Sequence, residues 1–205
     1  MKNYIKHMDT SLIPIKVPII ISSTKVYINV ENKVTLDSYA TAIKHITRKV
    51  FLKKYILISK SKKLFLRGSI RKSITYSEPI YKNGDKIEGK IKNKTIYVPF
   101  NCVTDVDYIV NPEIQKRSLS TLVTISKSGT KKKILSESYN EVAPIYCEIV
   151  DANFKELNIK EDIEPYINNS PNIHIFKTIT QQTTICLTIR LIQNQEIFIN
   201  NITKL

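Results

Sequence analysis

The chain of 205 residues has no tryptophan, four glycines, two methionines, three cysteines and three histidines. Each shortage excludes something. So few glycines leave no glycine-rich loop to cradle a phosphate. The cysteines, Cys102, Cys147 and Cys186, are too few and too scattered for a zinc site or a redox pair. Such thiols read either as inert buried groups or, their number being odd, as candidates for an intermolecular disulfide in an oxidising location. His7, His45 and His174 have no acid or cysteine at ligand spacing, so no metal is expected. No GxSxG, HExxH or cysteine–histidine pairing is present, and the carboxylates Asp105 and Asp107 fit a solvated strand face better than acid–base work. A non-enzyme with no cofactor is the expectation. Long apolar runs are missing too: Val17–Ile21 is far below the roughly 18–20 residues a membrane span needs. The N-terminus, MKNYIKHMDTSLIPIK, lacks an apolar core and a small-residue cleavage site, so no signal peptide and no membrane insertion are expected.

The last absence is local. From Ser38 to Ser77 there is no acidic residue, against eleven lysines and arginines. That stretch is also the most regular in the chain. Leu64, Leu66, Ile70, Ile74 and Tyr76 share one parity, interrupted by Gly68 and Lys72, while Phe65, Arg67, Ser69, Arg71, Ser73 and Thr75 take the other. Period two predicts a half-buried strand. Val50–Leu52 and Tyr55–Ile58 form a preceding apolar run, and polar Ser59–Lys63 has the length of a hairpin loop. Lys49–Ser59 is therefore expected to pair antiparallel with Leu64–Tyr76.

Around this hairpin, residues 1–13 read as an extended N-terminal arm and 14–205 as a single β domain. Pro14 and Pro18 mark an edge or an extended entry. Lys25–Val30 alternates; Val34–Tyr39 fits a strand or a helical turn. Glu78–Asn93, with its Asn83–Gly84–Asp85 turn signal, reads as a surface connection. Thr95–Val110 is one long strand or two divided at Pro99. Residues 111–142 form a long connection or a small exposed hairpin. Pro144–Phe154 is a strand, Lys155–Asn169 a loop or short helical turn, and Ile173–Thr180 with Thr183–Ile192 closes the sheet. No amphipathic helix of three turns is legible, so the strands must be mostly antiparallel: an all-β sandwich or a partly closed barrel.

The net charge of +14 directs attention to acidic partners. Because residues 143–205 carry seven acids against five bases, copies of the chain could dock head to tail, a contact that propagates into rings, sheets or filaments. In that event Ile13, Ile15 and Val17 of the arm would add to a neighbour's sheet, and Arg67, Arg71 and Lys72 would supply the basic side. The alternative is a basic β domain binding nucleic acid or another anionic polymer. It is the weaker reading, because Phe51, Tyr55 and Phe65 sit among core-type aliphatics and no RNA-recognition signature accompanies them.

Three segments carry a family resemblance. Leu64, Phe65, Gly68, Arg71, Lys72 and Tyr76 follow the pattern LF-x-x-G-x-x-R-K-x-x-x-Y; Val98, Pro99, Phe100 and Cys102 follow V-P-F-x-C; PIYCEIVDANFKEL then precedes the closing strand TTICLTIRLIQNQEIFI. With these, residues 13–199 resemble clostridial exosporium and spore-coat proteins of the Csx type, related to the SPOCS (spore-coat-associated) domain. The resemblance implies a non-enzymatic, self-assembling building block of the spore surface, made in the mother-cell cytoplasm, whose partners are itself and other spore-surface proteins. Many such relatives are rich in cysteine and this chain is not, so it implies no extensive disulfide network.

Overall fold

The computed structural model describes residues 12–83, 86–115, 117–125, 131–139, 142–166 and 173–200. The fold is all-β, and among the described residues there is no α-helix. The strands are β1 (Leu12–Ala40), β2 (Ala42–Ile58), β3 (Lys63–Asn83), β4 (Lys86–Asp105), β5 (Arg117–Ile125), β6 (Lys131–Tyr139), β7 (Ile145–Glu161), β8 (Glu164–Pro165) and β9 (His174–Asn200). They form sheets of order β2-β3-β4 and β1-β9-β7, the latter with β8 against β9, and a separate β5-β6 hairpin. Neither large sheet closes into a barrel, so the sandwich alternative holds. The chain divides into two compact units, Ser23–Asp107 with Ile149–Ile189, and Met1–Ser22 with Tyr108–Glu148 and Arg190–Leu205.

The larger unit contains the sandwich. Its first sheet is the expected hairpin extended by a strand: β2 pairs with β3 from Ala42↔Ser77 to Ile58↔Lys63, and β3 with β4 from Lys63↔Asp105 to Asn83↔Lys86. A single 3-10 turn, Ser59–Ser61, joins β2 to β3, with Lys62 in the left-handed conformation at φ 53°. Central β3 turns Leu64, Leu66, Ile70, Ile74 and Tyr76 inward, as the alternation predicts. Gly68 stands between Leu52 and Phe100, next to the register shift at Leu52/Lys54. An added Cβ there would lie 2.4 Å from the Phe100 ring and 2.5 Å from the Phe51 carbonyl oxygen. Close approach, not turn-making, requires this glycine.

In the second sheet, hydrogen bonds from Thr184 to Asn29 and from Gln182 to Glu31 run in opposite chain directions, as antiparallel strands require. The chain passes from β1 to β2 at Thr41, whose N–H donates to the Ser77 carbonyl over 2.9 Å. Val34, Leu36 and Ala40 of β1, Ile46 of β2, Ile74 and Tyr76 of β3, and Phe176 and Ile179 of β9 meet in one core. Apolar burial on this scale, about 25 cal/mol per Å² removed from water, is what holds the layers together.

Two segments correct the sequence reading. Glu78–Asn93 is not a surface connection: β3 and β4 continue to Asn83 and from Lys86, leaving only 84 and 85 between them. Lys155–Asn169 is not a loop or a helical turn over its first half, because β7 runs on to Glu161. Polar side chains at every second position hid both, since a strand with one wet face needs few apolar residues. Val34–Tyr39 is strand, and Pro99 lies in edge strand β4 opposite Ser69 without a register shift.

The smaller unit is pinned by glutamines. Gln193 is buried; its side-chain oxygen accepts from the Glu113 N–H over 2.8 Å, and its amide donates to the Glu113 and Ala143 carbonyls over 3.0 and 2.9 Å. Gln195 donates to the Asn111 carbonyl and to Gln193, both over 3.0 Å. These side chains satisfy irregular backbone that no strand pairs with. The hairpin β5-β6 is in register from Arg117↔Tyr139 to Ile125↔Lys131. The arm expected at 1–13 lies outside the described residues up to Ser11; Leu12 and Ile13 open β1.

Candidate functional site

Two features of the larger unit combine chemistry with geometry. The first is a charge cluster between the sheets. Lys72, on the core-facing parity of β3, is 0% exposed, and the Glu156 side chain of β7 is 3% exposed. Lys72 Nζ donates to Glu156 Oε2 at 2.7 Å, to Thr183 Oγ1 at 2.7 Å, and faces Asn32 Oδ1 and Gln181 Oε1 at 3.2 Å each. From β2, Arg48 places Nη2 2.6 Å from Glu156 Oε1 and Nε 3.2 Å from Oε2. Thr183 donates to Glu156 Oε2 at 2.8 Å, and Gln181 Nε2 to Glu156 Oε1 at 3.3 Å and Asn158 Oδ1 at 2.7 Å.

Four strands, β2, β3, β7 and β9, thus meet on one carboxylate, and Asn32 of β1 joins the cluster through Lys72 and Gln181. Burial alone would raise the Glu156 pKa; the hydrogen bonds and charge of Arg48 and Lys72 outweigh it and hold the group down at about 2. Burial lowers the pKa of Lys72, opposed by Glu156, and the Arg48 charge lowers it further.

The second feature is the outer face of the β2-β3-β4 sheet. Ile56, Phe65 and Val103 are register partners in one cross-strand row, and all three are exposed. Lys54, Arg67 and Asn101 form the next row, with Arg67 Nε donating to Asn101 Oδ1 at 3.0 Å. Lys49, Arg71 and Tyr97 lie beyond. A shallow cavity of about 420 Å³ lies at the first two rows, bordered by Ile56, Phe65, Arg67, Cys102 and Val103.

Of the candidate contact residues, Arg67 and Arg71 lie exposed on this face, and Ile13, Ile15 and Val17 lie on β1, an edge strand. Lys72 does not belong with them: it is fully enclosed and spends its protons inside the molecule. Cys102, Cys147 and Cys186 are free and half-buried. Burial pushes the Cys102 thiol up, and burial with the Glu148 charge pushes Cys147 up to about 11, so neither holds appreciable thiolate at neutral pH. Among the described residues no cluster of three histidine, cysteine or acidic side chains could hold a metal ion, and no helix is long and apolar enough to cross a membrane.

Sequence reasoning did not find the cluster as a cluster. Its one signal was Lys72 interrupting an apolar parity; a second was available in Gln181 and Thr183, which occupy the apolar parity of β9. Glu156 carried no signal of its own, since its partner Lys72 is 84 residues distant.

Comparison with known proteins gives two findings and one blank. A model of a family described as a domain of unknown function (DUF7852) matches residues 2–85. Exosporium protein C of Clostridium sporogenes (strain ATCC 15579) is 24% identical over 217 residues, covering 94% of this chain and 78% of that protein. No solved structure matches. Over nearly its whole length, the chain is similar to a clostridial exosporium protein.

Proposed function

We propose that this protein is a non-enzymatic structural component of the spore surface that assembles with copies of itself. The similarity to an exosporium protein across 94% of the chain carries the reading. The all-β architecture supports it, as does the apolar row Ile56–Phe65–Val103 displayed among basic residues.

A second copy is the partner this face suits. Between β7 and β8 the chain makes a turn, Glu161–Asp162–Ile163–Glu164, in which Asp162 has φ 51° and Ile163 is 53% exposed. An exposed isoleucine between two acids is the chemical complement of an apolar row rimmed by Lys54, Arg67 and Arg71. Face against turn is a heterologous contact, which passes from copy to copy into rings, sheets or filaments. Edge strand β1, with Ile13, Ile15 and Val17, offers a further contact by strand addition.

Gold-labelled antibody against the chain, applied to sectioned spores, tests the location. Label over the outermost layers is expected; label confined to the spore interior would contradict the reading.

A further inference from the structure

The buried cluster holds more than an ion pair. We propose that the Lys72 amine and the Gln181 carboxamide condense within the chain, forming an ε-(γ-glutamyl)lysine bond with Glu156 as the proton carrier. The parts of an acyl transfer are already gathered. Glu156 touches the nucleophile with Oε2, 2.7 Å from Lys72 Nζ, and the leaving nitrogen with Oε1, 3.3 Å from Gln181 Nε2. The carboxamide oxygen, Gln181 Oε1, accepts from Lys72 Nζ and from Asn32 Nδ2, both at 3.2 Å. Asn32 therefore stands where an oxyanion donor is needed. Gln181 is preferred to Asn32 as acceptor because its own amide nitrogen reaches the carboxylate, whereas Asn32 Nδ2 is directed at Gln181.

The step balances without an outside reagent. Glu156 takes one ammonium proton from Lys72 and frees its lone pair. The amine attacks Gln181 Cδ, a carbon–nitrogen bond forms, and the carbonyl pair moves on to Oε1 beside Asn32. When that pair returns, the Cδ–Nε2 bond breaks. The departing nitrogen collects the proton held by Glu156 and one from the former amine, leaving as ammonium, and Glu156 is again a carboxylate. Burial favours the neutral amine that attack requires. Arg48, by keeping Glu156 strongly ionised, makes it a weak base, so the reaction is slow; one event per chain needs no turnover. Nucleophile and acceptor held side by side gain the advantage of an intramolecular reaction, which in near-attack geometry reaches effective molarities of about 10⁵ M or more.

The product would join central strands of facing sheets, β3 to β9. It would be a covalent tie in a protein whose cysteines are all free.

Intact-mass measurement of the full chain, folded and incubated at neutral pH, reads the reaction directly. Loss of ammonia lowers the mass by about 17 Da, and protease digestion should yield one branched peptide joining Lys72 to Gln181. Lys72→Arg and Glu156→Gln chains should keep full mass, as should wild type held unfolded in urea. A folded wild-type chain that stays at full mass after prolonged incubation overturns the proposal. So does a branched peptide joining Lys72 to Asn32. The wild-type result stands alone if a variant fails to fold.

Discussion

Lys72 is on the core side of its strand, where a lysine costs most. Its ammonium is enclosed with Glu156, Thr183, Asn32 and Gln181 around it. Such a pair adds little net stability over an apolar one, yet removing one partner strands a buried charge at about 3–5 kcal/mol. pH should therefore matter. The folded pKa of Glu156, about 2, lies below its ordinary 4.5. A depressed carboxylate stabilises fully above its unfolded pKa, and that contribution is lost as pH falls through the folded value. In chain of full, unlinked mass, urea unfolding should show about 3 kcal/mol lost between pH 5 and pH 2. A flat profile over that window would show that Glu156 is not held by its partners. Gly68 is the other demanding position. In Gly68→Ala the new methyl meets a ring and a carbonyl that cannot both retreat, so about 1–3 kcal/mol should be lost. Of these residues the sequence alone marked Lys72 and Gly68, because both interrupt a clean alternation. Glu156 was invisible, since nothing local distinguishes it from a solvated strand acid.

Among the elements, β3 carries the most. It is paired on both sides, Ile70 facing Val50 and Val98. Ile70→Pro should remove a ladder donor mid-strand and cost about 3 kcal/mol or more; an equally stable variant in chemical denaturation would contradict a central β3. β3 was legible because one of its faces is apolar and the other wet. β7 was legible only to Phe154, beyond which the same parity holds Glu156 and the exposed Asn158, polar groups satisfied by distant partners. The last strand was legible only to Ile192, short of Gln193 and Gln195, for the same reason. Gln193 serves three backbone groups of other segments. Gln193→Ala should leave them unpaired, at about 1–3 kcal/mol for each buried group not rescued by water, and hydrogen exchange should show the Glu113 amide opening faster. Unchanged protection there would mean that Glu113 is held by something other than Gln193.

For the whole molecule, the proposed assembly rests on a basic, partly apolar sheet face and an acidic turn carrying Ile163. An all-β chain was readable from its periods and its lack of helical stripes. The edge at β1 was signalled by Pro14 and Pro18, but the sheet order and the faces that stay bare were not legible, because they are a matter of long-range pairing. Salt should slow the meeting of the charged surfaces while leaving formed contacts in place, since screening acts on approach and apolar burial holds the product. Electron microscopy of the purified chain at moderate salt, with Phe65→Asp alongside, is the most direct test of assembly. Ordered sheets, rings or filaments are predicted for wild type and dispersed particles for the variant. A wild-type chain that remains monodisperse and instead retards nucleic acid in a gel would contradict the account.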